Sequence, residues 1–555
     1  MEQLTRRSFV GQSVITVAGL LVSGCRQNEN PASGTKSSTE PLGGSTKEIA
    51  ITLKEAEIEY APGKSMKTFT IGGTVPGQLI EARRGERLRI TVDNQLPEPS
   101  SLHWHGIPLR NPMDGVPGVT QDPIPVGGKF VYDYVAEPSG TFMFHSHSGL
   151  QLDRGVYAPL IIHDAKESTP YDREYTLMFD DWLTESSDDV MKKLKSGEGM
   201  AQGGQESSGT QGMANLDGAQ QTQPGMPGMD RMGPGGPAMA GRHGIGSMGR
   251  GGPAMAGMQG MGRMEGAVPK GTQGASGSGA AMEDNGVDVI YAAFLVNGKN
   301  SEIAEPLRVR KGDRVRLRLI NPSGATNYRI ALDGHRLTVT HADGNPVQPI
   351  EVDTLEIGMG ERYDVYFTAN NPGVWALMAA SPEDPRGRVR TLVRYEGATG
   401  TPPPIDFMPA VLKSGRILRY TDLIAAEPGE VISVKPDRTH ELVLNGTMMP
   451  YRWTINDQTF PEANYLEIGK GERVRLRLVN KSMMRHPMHL HGHFYRLLGT
   501  AGGTRQAPAK DTVILNAMQT MEVEFLADNP GKWAFHCHHA YHQDAGMMRV
   551  FAYRS

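Results

Sequence analysis

The sequence predicts an all-β protein built from three copies of one sandwich. Three observations carry this. First, Gly85 to Asn94, Gly312 to Asn321 and Gly471 to Asn480 each run from a Gly–acid turn into a strand that alternates arginine with aliphatic residues. Period-two alternation marks a half-buried strand. Second, residues 138–148 (PSGTFMFHSHS), 371–381 (NPGVWALMAAS) and 529–539 (NPGKWAFHCHH) repeat a Pro/Gly turn followed by a β-prone run. Third, 68 Gly and 38 Pro in 555 residues, with no long helical periodicity, disfavour a helical fold. Repeats of this size decide the architecture. They place three antiparallel sandwich domains near 48–165, 166–398 and 405–555.

The remaining segments are not part of the repeats. Residues 1–25 read as an export signal: Arg6-Arg7 forms a twin-arginine pattern, and the apolar run Val14 to Val22 is too short to span a bilayer. Val22-Ser23-Gly24-Cys25 resembles a bacterial lipobox, which makes Cys25 a lipid anchor; a plain cleaved signal is the alternative. Residues 26–47 are a polar tether. Residues 191–285 are dominated by Gly, Met, Gln, Ser and Ala, and are expected to form a disordered insertion in the second domain.

Charge and cysteine content exclude other classes. Lys plus Arg is 57 and Asp plus Glu is 61, a net charge of −4 with no basic block, which argues against nucleic acid as partner. Cys25 and Cys537 are the two cysteines, so a disulfide scaffold is excluded.

Histidine placement carries the functional argument. Counted from the turn glycines, the first copy has His103 and His105 where the third has His489 and His491; the second has Ile330 and Leu332. In the later repeat, His145 and His147 match His536 and His538, against Met378 and Ala380. In a strand, i and i+2 face the same side, so each pair aims two imidazoles one way. Four such pairs from two related domains can converge on several borderline metal ions. Cys537 lies between His536 and His538, so its sulfur faces the other side. With His486 and His542 it makes a His₂Cys set, and Met547 can serve as a long axial ligand; that set marks a blue-copper electron-transfer centre. The two centres are expected on the order of 12 Å apart, joined through Cys537 and its backbone.

HWHG (103–106), HSH (145–147), HPMHLH (486–491) and HCHHAYHQDAGM (536–547) resemble the four copper signatures of the multicopper oxidases, in order, over nearly all of the chain from residue 48. LHWHGIPLRNPMDGVPGV (102–119) and MMRHPMHLHGH (483–493) look most like the bacterial periplasmic copper-resistance oxidases, with laccase-like relatives close. The resemblance implies three cupredoxin-like Greek-key domains and four coppers. His486, Cys537, His542 and Met547 would hold type 1 copper, and His103 and His489 type 2. One type 3 copper would take His105, His145 and His538, the other His147, His491 and His536. It implies four one-electron oxidations coupled to reduction of O₂ to two waters. The expected reductant is Cu(I), in copper tolerance; the alternatives are laccase-type oxidation of phenols or aromatic amines, and copper sequestration with incidental turnover.

Reduction of O₂ consumes four protons, so a carboxylate near the cluster is expected. Many relatives have Glu after the last blue-copper histidine; here Gln543 stands there. Asp114 is the alternative candidate, with Asp544 a weaker one. Eleven methionines between Met200 and Met264 offer thioethers that suit Cu(I). His493 and His539 are expected as second-shell or surface residues, and His163, His243, His335, His341 and His440 match no motif.

Overall fold

The computed structural model describes residues 45–165, 169–197, 287–429 and 431–554. The expected export signal, the lipidation site at Cys25 and most of the tether lie outside the described residues, as does the Met-rich insertion beyond Gly197.

Among the described residues the strands form six sheets, stacked as three sandwiches. In the first, the sheet carrying Arg87–Asn94 faces one ordered Ile80–Arg83, Tyr157–His163, Gly140–His145, His103–His105. The second repeats this order with Leu307–Val309, Arg388–Tyr395, Val374–Ala380 and Tyr328–Leu332, and the third with Leu466–Ile468, Met548–Tyr553, Lys532–Cys537 and His486–Leu490. The sequence repeats are therefore repeats of topology.

The sheets are mixed rather than wholly antiparallel, which corrects the expectation. Thr46–Ala61 runs parallel to Arg87–Asn94, Arg173–Trp182 to Arg314–Ile320, and Arg438–Met448 to Arg473–Asn480. In each case the chain crosses to the opposite sheet between the two strands and returns in the same direction, so the neighbours cannot be a hairpin.

The arginine-rich strands bury as their alternation requires in the first and third copies: Leu88, Ile90 and Val92, and Val474, Leu476 and Leu478, are inaccessible while the intervening residues reach solvent. In the second copy Arg316 and Arg318 are buried as well. Arg316 Nη2 donates to Asp364 Oδ2 at 2.5 Å, and Arg318 Nη1 donates to Thr141 Oγ1 of the first sandwich at 2.7 Å. The second domain thus fixes the strand that carries His145.

The insertion also begins later than expected. Residues 191–196 complete the Ser187–Ser196 helix, which buries Val190, Met191 and Leu194 on one face and ends at Gly197 in a left-handed cap. That apolar stripe at helical spacing outweighs the polar composition that follows.

Candidate metal centre

Each histidine pair is set by strand register. His103 is opposite His145 in the first domain and His489 is opposite His536 in the third. Cross-strand partners share a face, so the imidazoles of each pair point together. In the second domain Ile330 is opposite Ala379 and Met378 is opposite Ala331, so no histidine stands at these places. The first and third domains meet here, and their rings interleave: His103 stacks on His491 with centroids 3.8 Å apart, and His105 on His489 at 3.7 Å.

Hydrogen bonds orient the rings. His103 Nδ1 meets the Asp114 carbonyl at 2.8 Å, His489 Nδ1 the Asp511 carbonyl at 3.0 Å, His145 Nδ1 the Ser146 carbonyl at 2.9 Å and His536 Nδ1 the Cys537 carbonyl at 2.9 Å. A carbonyl only accepts, so each Nδ1 carries the proton and each Nε2 presents a lone pair. His491 reaches the same state through Asp114 Oδ2 at 3.0 Å. His105 is reversed: Nε2 donates toward Asp511 Oδ1 at 3.1 Å, which frees Nδ1.

The free nitrogens face one another. His103 Nε2 lies 3.4 Å from His489 Nε2, and His105 Nδ1 lies 3.4 Å from His145 Nε2. His536 Nε2 lies 3.3 Å from His147 Nε2 and 3.0 Å from His491 Nε2. Two nitrogens each 2.0–2.1 Å from one borderline ion, at a tetrahedral angle, are about 3.3–3.4 Å apart. His538 packs against His105 and His145, and both its ring nitrogens are buried without a hydrogen-bond partner. Burial holds His105, His147, His491, His536 and His538 well below the usual imidazole range, and lowers His145 to about 3, with neighbouring rings adding to the effect. The rings are thus neutral donors, and the donor set fits copper.

The second set lies on the opposite face of the strand Lys532–Cys537. Cys537 Sγ is 3.7 Å from both His486 Nδ1 and His542 Nδ1, which are 3.1 Å apart. An ion about 2.3 Å from sulfur and 2.0–2.1 Å from nitrogen, with an angle near trigonal, gives an S···N separation of about 3.7 Å. The other edges are anchored: His486 Nε2 meets Ser482 Oγ at 2.7 Å, and His542 Nε2 meets Asp288 Oδ2 at 3.2 Å. Met547 is wholly buried beside this site, its carbonyl accepting from the Cys537 N–H at 3.1 Å. Burial raises the Cys537 thiol above its ordinary range, so metal binding must displace a proton there.

Of the carboxylate candidates, Asp114 is buried between His103 and His491, with Oδ1 3.3 Å from His103 Nδ1. Asp544 is at the surface, 3.6 Å from Lys195, and does not face the cluster. Sequence reasoning missed Asp511, Thr512, Ser482 and Asp288. Asp511 is the third domain's counterpart of Asp114: each carboxylate contacts one histidine from each domain. They follow their histidines by different spacings, 11 and 22 residues, so no shared offset reveals the pair. His539, expected as second-shell or surface, is buried; its ring stacks on His542 at 3.7 Å and its Nε2 meets Asp288 Oδ1 at 3.1 Å.

Models of the multicopper oxidase family match residues 52–167, 270–398 and 433–555. The chain is 34% identical to multicopper oxidase MmcO of Mycobacterium tuberculosis, covering 99% of this chain and 97% of the other. It is 28% identical to a copper resistance protein A homolog of Pseudomonas syringae pv. tomato, covering 98% of each. Among solved structures it resembles Fet3p, a multicopper oxidase that functions in iron import (TM-score 0.68, 20% identity, 92% and 90% of the two chains). It also resembles a laccase from Botrytis aclada (TM-score 0.67, 23% identity, 92% and 88%).

Proposed function

The chain belongs to the multicopper oxidase family, a family of copper-dependent oxidoreductases with O₂ as acceptor, and from that premise we propose that it oxidises Cu(I) in the cell envelope and so serves copper tolerance. Bound copper supplies one-electron acceptance at the cysteine site and four-electron reduction of O₂ to water at the histidine cluster. In this reading His486, Cys537, His542 and Met547 hold type 1 copper, and His103 and His489 type 2. His105, His145 and His538 hold one type 3 copper; His147, His491 and His536 hold the other. Cys537 joins the two sites covalently through its neighbours His536 and His538. Asp114 keeps the His491 Nδ1 proton in place and is the carboxylate through which protons reach the cluster, since Gln543 has none to give. The export signal, with Cys25 lipidated, would bring the enzyme to the envelope.

The observation that carries the choice of Cu(I) is a cavity beside the cysteine site. Met359, Met484, His539, Glu383 and Asp384 are among its lining residues, and its volume is about 20 Å³. That holds one water-sized occupant and no phenol ring. Thioether and imidazole donors suit a cuprous ion. His539 lines it with an unpartnered Nδ1, and its Nε2 meets Asp288, which also holds His542. The described chain stops at Gly197, where a Cβ would lie 2.5 Å from Met449 Sδ, and resumes one residue before Asp288. Val287, the residue at which it resumes, lines the same cavity.

The test compares kcat/KM for Cu(I), Fe(II) and a phenol on one preparation, with and without residues 200–264. Cu(I) is expected to lead, and the deletion to lower Cu(I) oxidation while sparing the phenol. Equal loss on both substrates, or a phenol preferred by the full chain, would refute the proposal. Asp114→Asn, as companion variant, is expected to slow reoxidation by O₂; an unchanged rate removes Asp114 from the proton route.

A further inference from the structure

The second domain carries none of the histidine pairs, yet one of its turns enters the cluster. Gly360 has φ +86°, and a Cβ there would lie 2.8 Å from His538 Cδ2 and 3.0 Å from His105 Cε1. Two residues on, Arg362 is fully buried. Its Nη1 donates to Asp511 Oδ1 at 2.8 Å and its Nη2 to Asp511 Oδ2 at 2.7 Å. Nη1 also donates to the Gly360 carbonyl at 2.9 Å, and the Arg362 N–H donates to Asp343 Oδ1 at 2.9 Å. The carboxylate so held is the one that faces His105 Nε2 at 3.1 Å and His489 Nδ1 at 3.4 Å.

We propose that the copper-free middle domain completes the trinuclear site, with Arg362 as the positioning residue that clamps Asp511, thereby setting the orientation and tautomer of His105 and bracing His489, whose Nδ1 proton the Asp511 carbonyl holds. The inference rests on the multicopper oxidase reading of these histidines. Two further observations support it. The HWHG glycine is shaped around the clamp: a Cβ on Gly106 would fall 2.2 Å from Arg362 Nη2 and 2.7 Å from Asp511 Oδ2. Asp114, the counterpart in the first domain, has an Oδ1 with no hydrogen-bond partner, so the guanidinium clamp is specific to the Asp511 side. Lys510, Asp343 and Glu361 extend the buried charge network, with both Lys510 contacts at 2.9 Å. Buried ion pairs seldom add net stability over apolar packing. A clamp on the partner of two metal-binding rings gives this one a use, because outer carboxylates fix ring orientation and ligand basicity.

The experiment uses the copper-loaded full chain and reads total copper, blue absorption and the type 2 electron paramagnetic resonance signal. Arg362→Gln is expected to keep the blue absorption and lose type 2 copper, its affinity falling about 10- to 100-fold. Arg362→Lys keeps the charge without the planar fork, so its loss should be intermediate; it also serves if the glutamine variant fails to fold. A wild-type type 2 signal in both variants would overturn the proposal. So would a blue absorption that falls in step with type 2 copper, which would mark the arginine as a general packing residue. A wild-type chain with no type 2 signal would instead overturn the underlying reading of the histidines, and this inference with it.

Discussion

A buried imidazole that stays neutral has a cost that depends on pH. His105, His145, His147, His489, His491, His536, His538 and His542 are held below the usual histidine range chiefly by burial. In the unfolded chain the same rings take up protons as pH falls through about 6.5, and the native state does not. The unfolded state then binds more protons, so native stability is full above that pH and falls below it. Five buried carboxyls act in the opposite sense, Asp153, Asp180 and Glu383 raised by burial, Asp181 pushed up to about 7 and Asp343 to about 6, but the rings outnumber them. The thermal midpoint of the copper-free protein should therefore drop between about pH 7.5 and 5.5; a flat or rising midpoint would contradict the neutral cluster. At this scale the histidines and Cys537 were legible because i, i+2 spacing is a local signal. Arg362 was not, because it reaches the site from another domain, and Asp511 was not, because its spacing from His489 differs from that of Asp114 from His103.

The strand Lys532–Cys537, with His538 just beyond it, presents histidines to one side and a thiol to the other. Changing one face should therefore spare the other. Cys537→Ser is expected to abolish the blue absorption. His538→Ala is expected to abolish O₂ reduction while largely keeping that absorption, and full oxidase turnover in this variant would dismiss the proposed cluster assignment. The alternation that made this strand readable also gave the arginine-rich strands in the first and third copies. It did not disclose the burial of Arg316 and Arg318, which depends on Asp364 and Thr141, far away in sequence. Nor did it disclose the parallel pairs, because a strand's own pattern does not say which neighbour a crossover will bring. The Ser187–Ser196 helix was hidden by the Gly- and Met-rich composition that follows it.

Across the molecule, the three domains divide the work by what each strand pair lost or kept. The first and third contribute histidines from equivalent strands, and the second, apolar at those positions, contributes the buried arginines that hold the other two. The repeats foretold this plan down to the missing histidines in the middle copy, while the contacts between copies became visible only in three dimensions. The central claim is that two related domains enclose a three-copper site wired through Cys537 to a fourth copper. An anaerobic reductive titration of the copper-loaded chain, with copper counted on the same sample, tests it most directly. Four coppers per chain, four electrons taken up, and reoxidation by one O₂ are predicted; one copper and one electron per chain would contradict it.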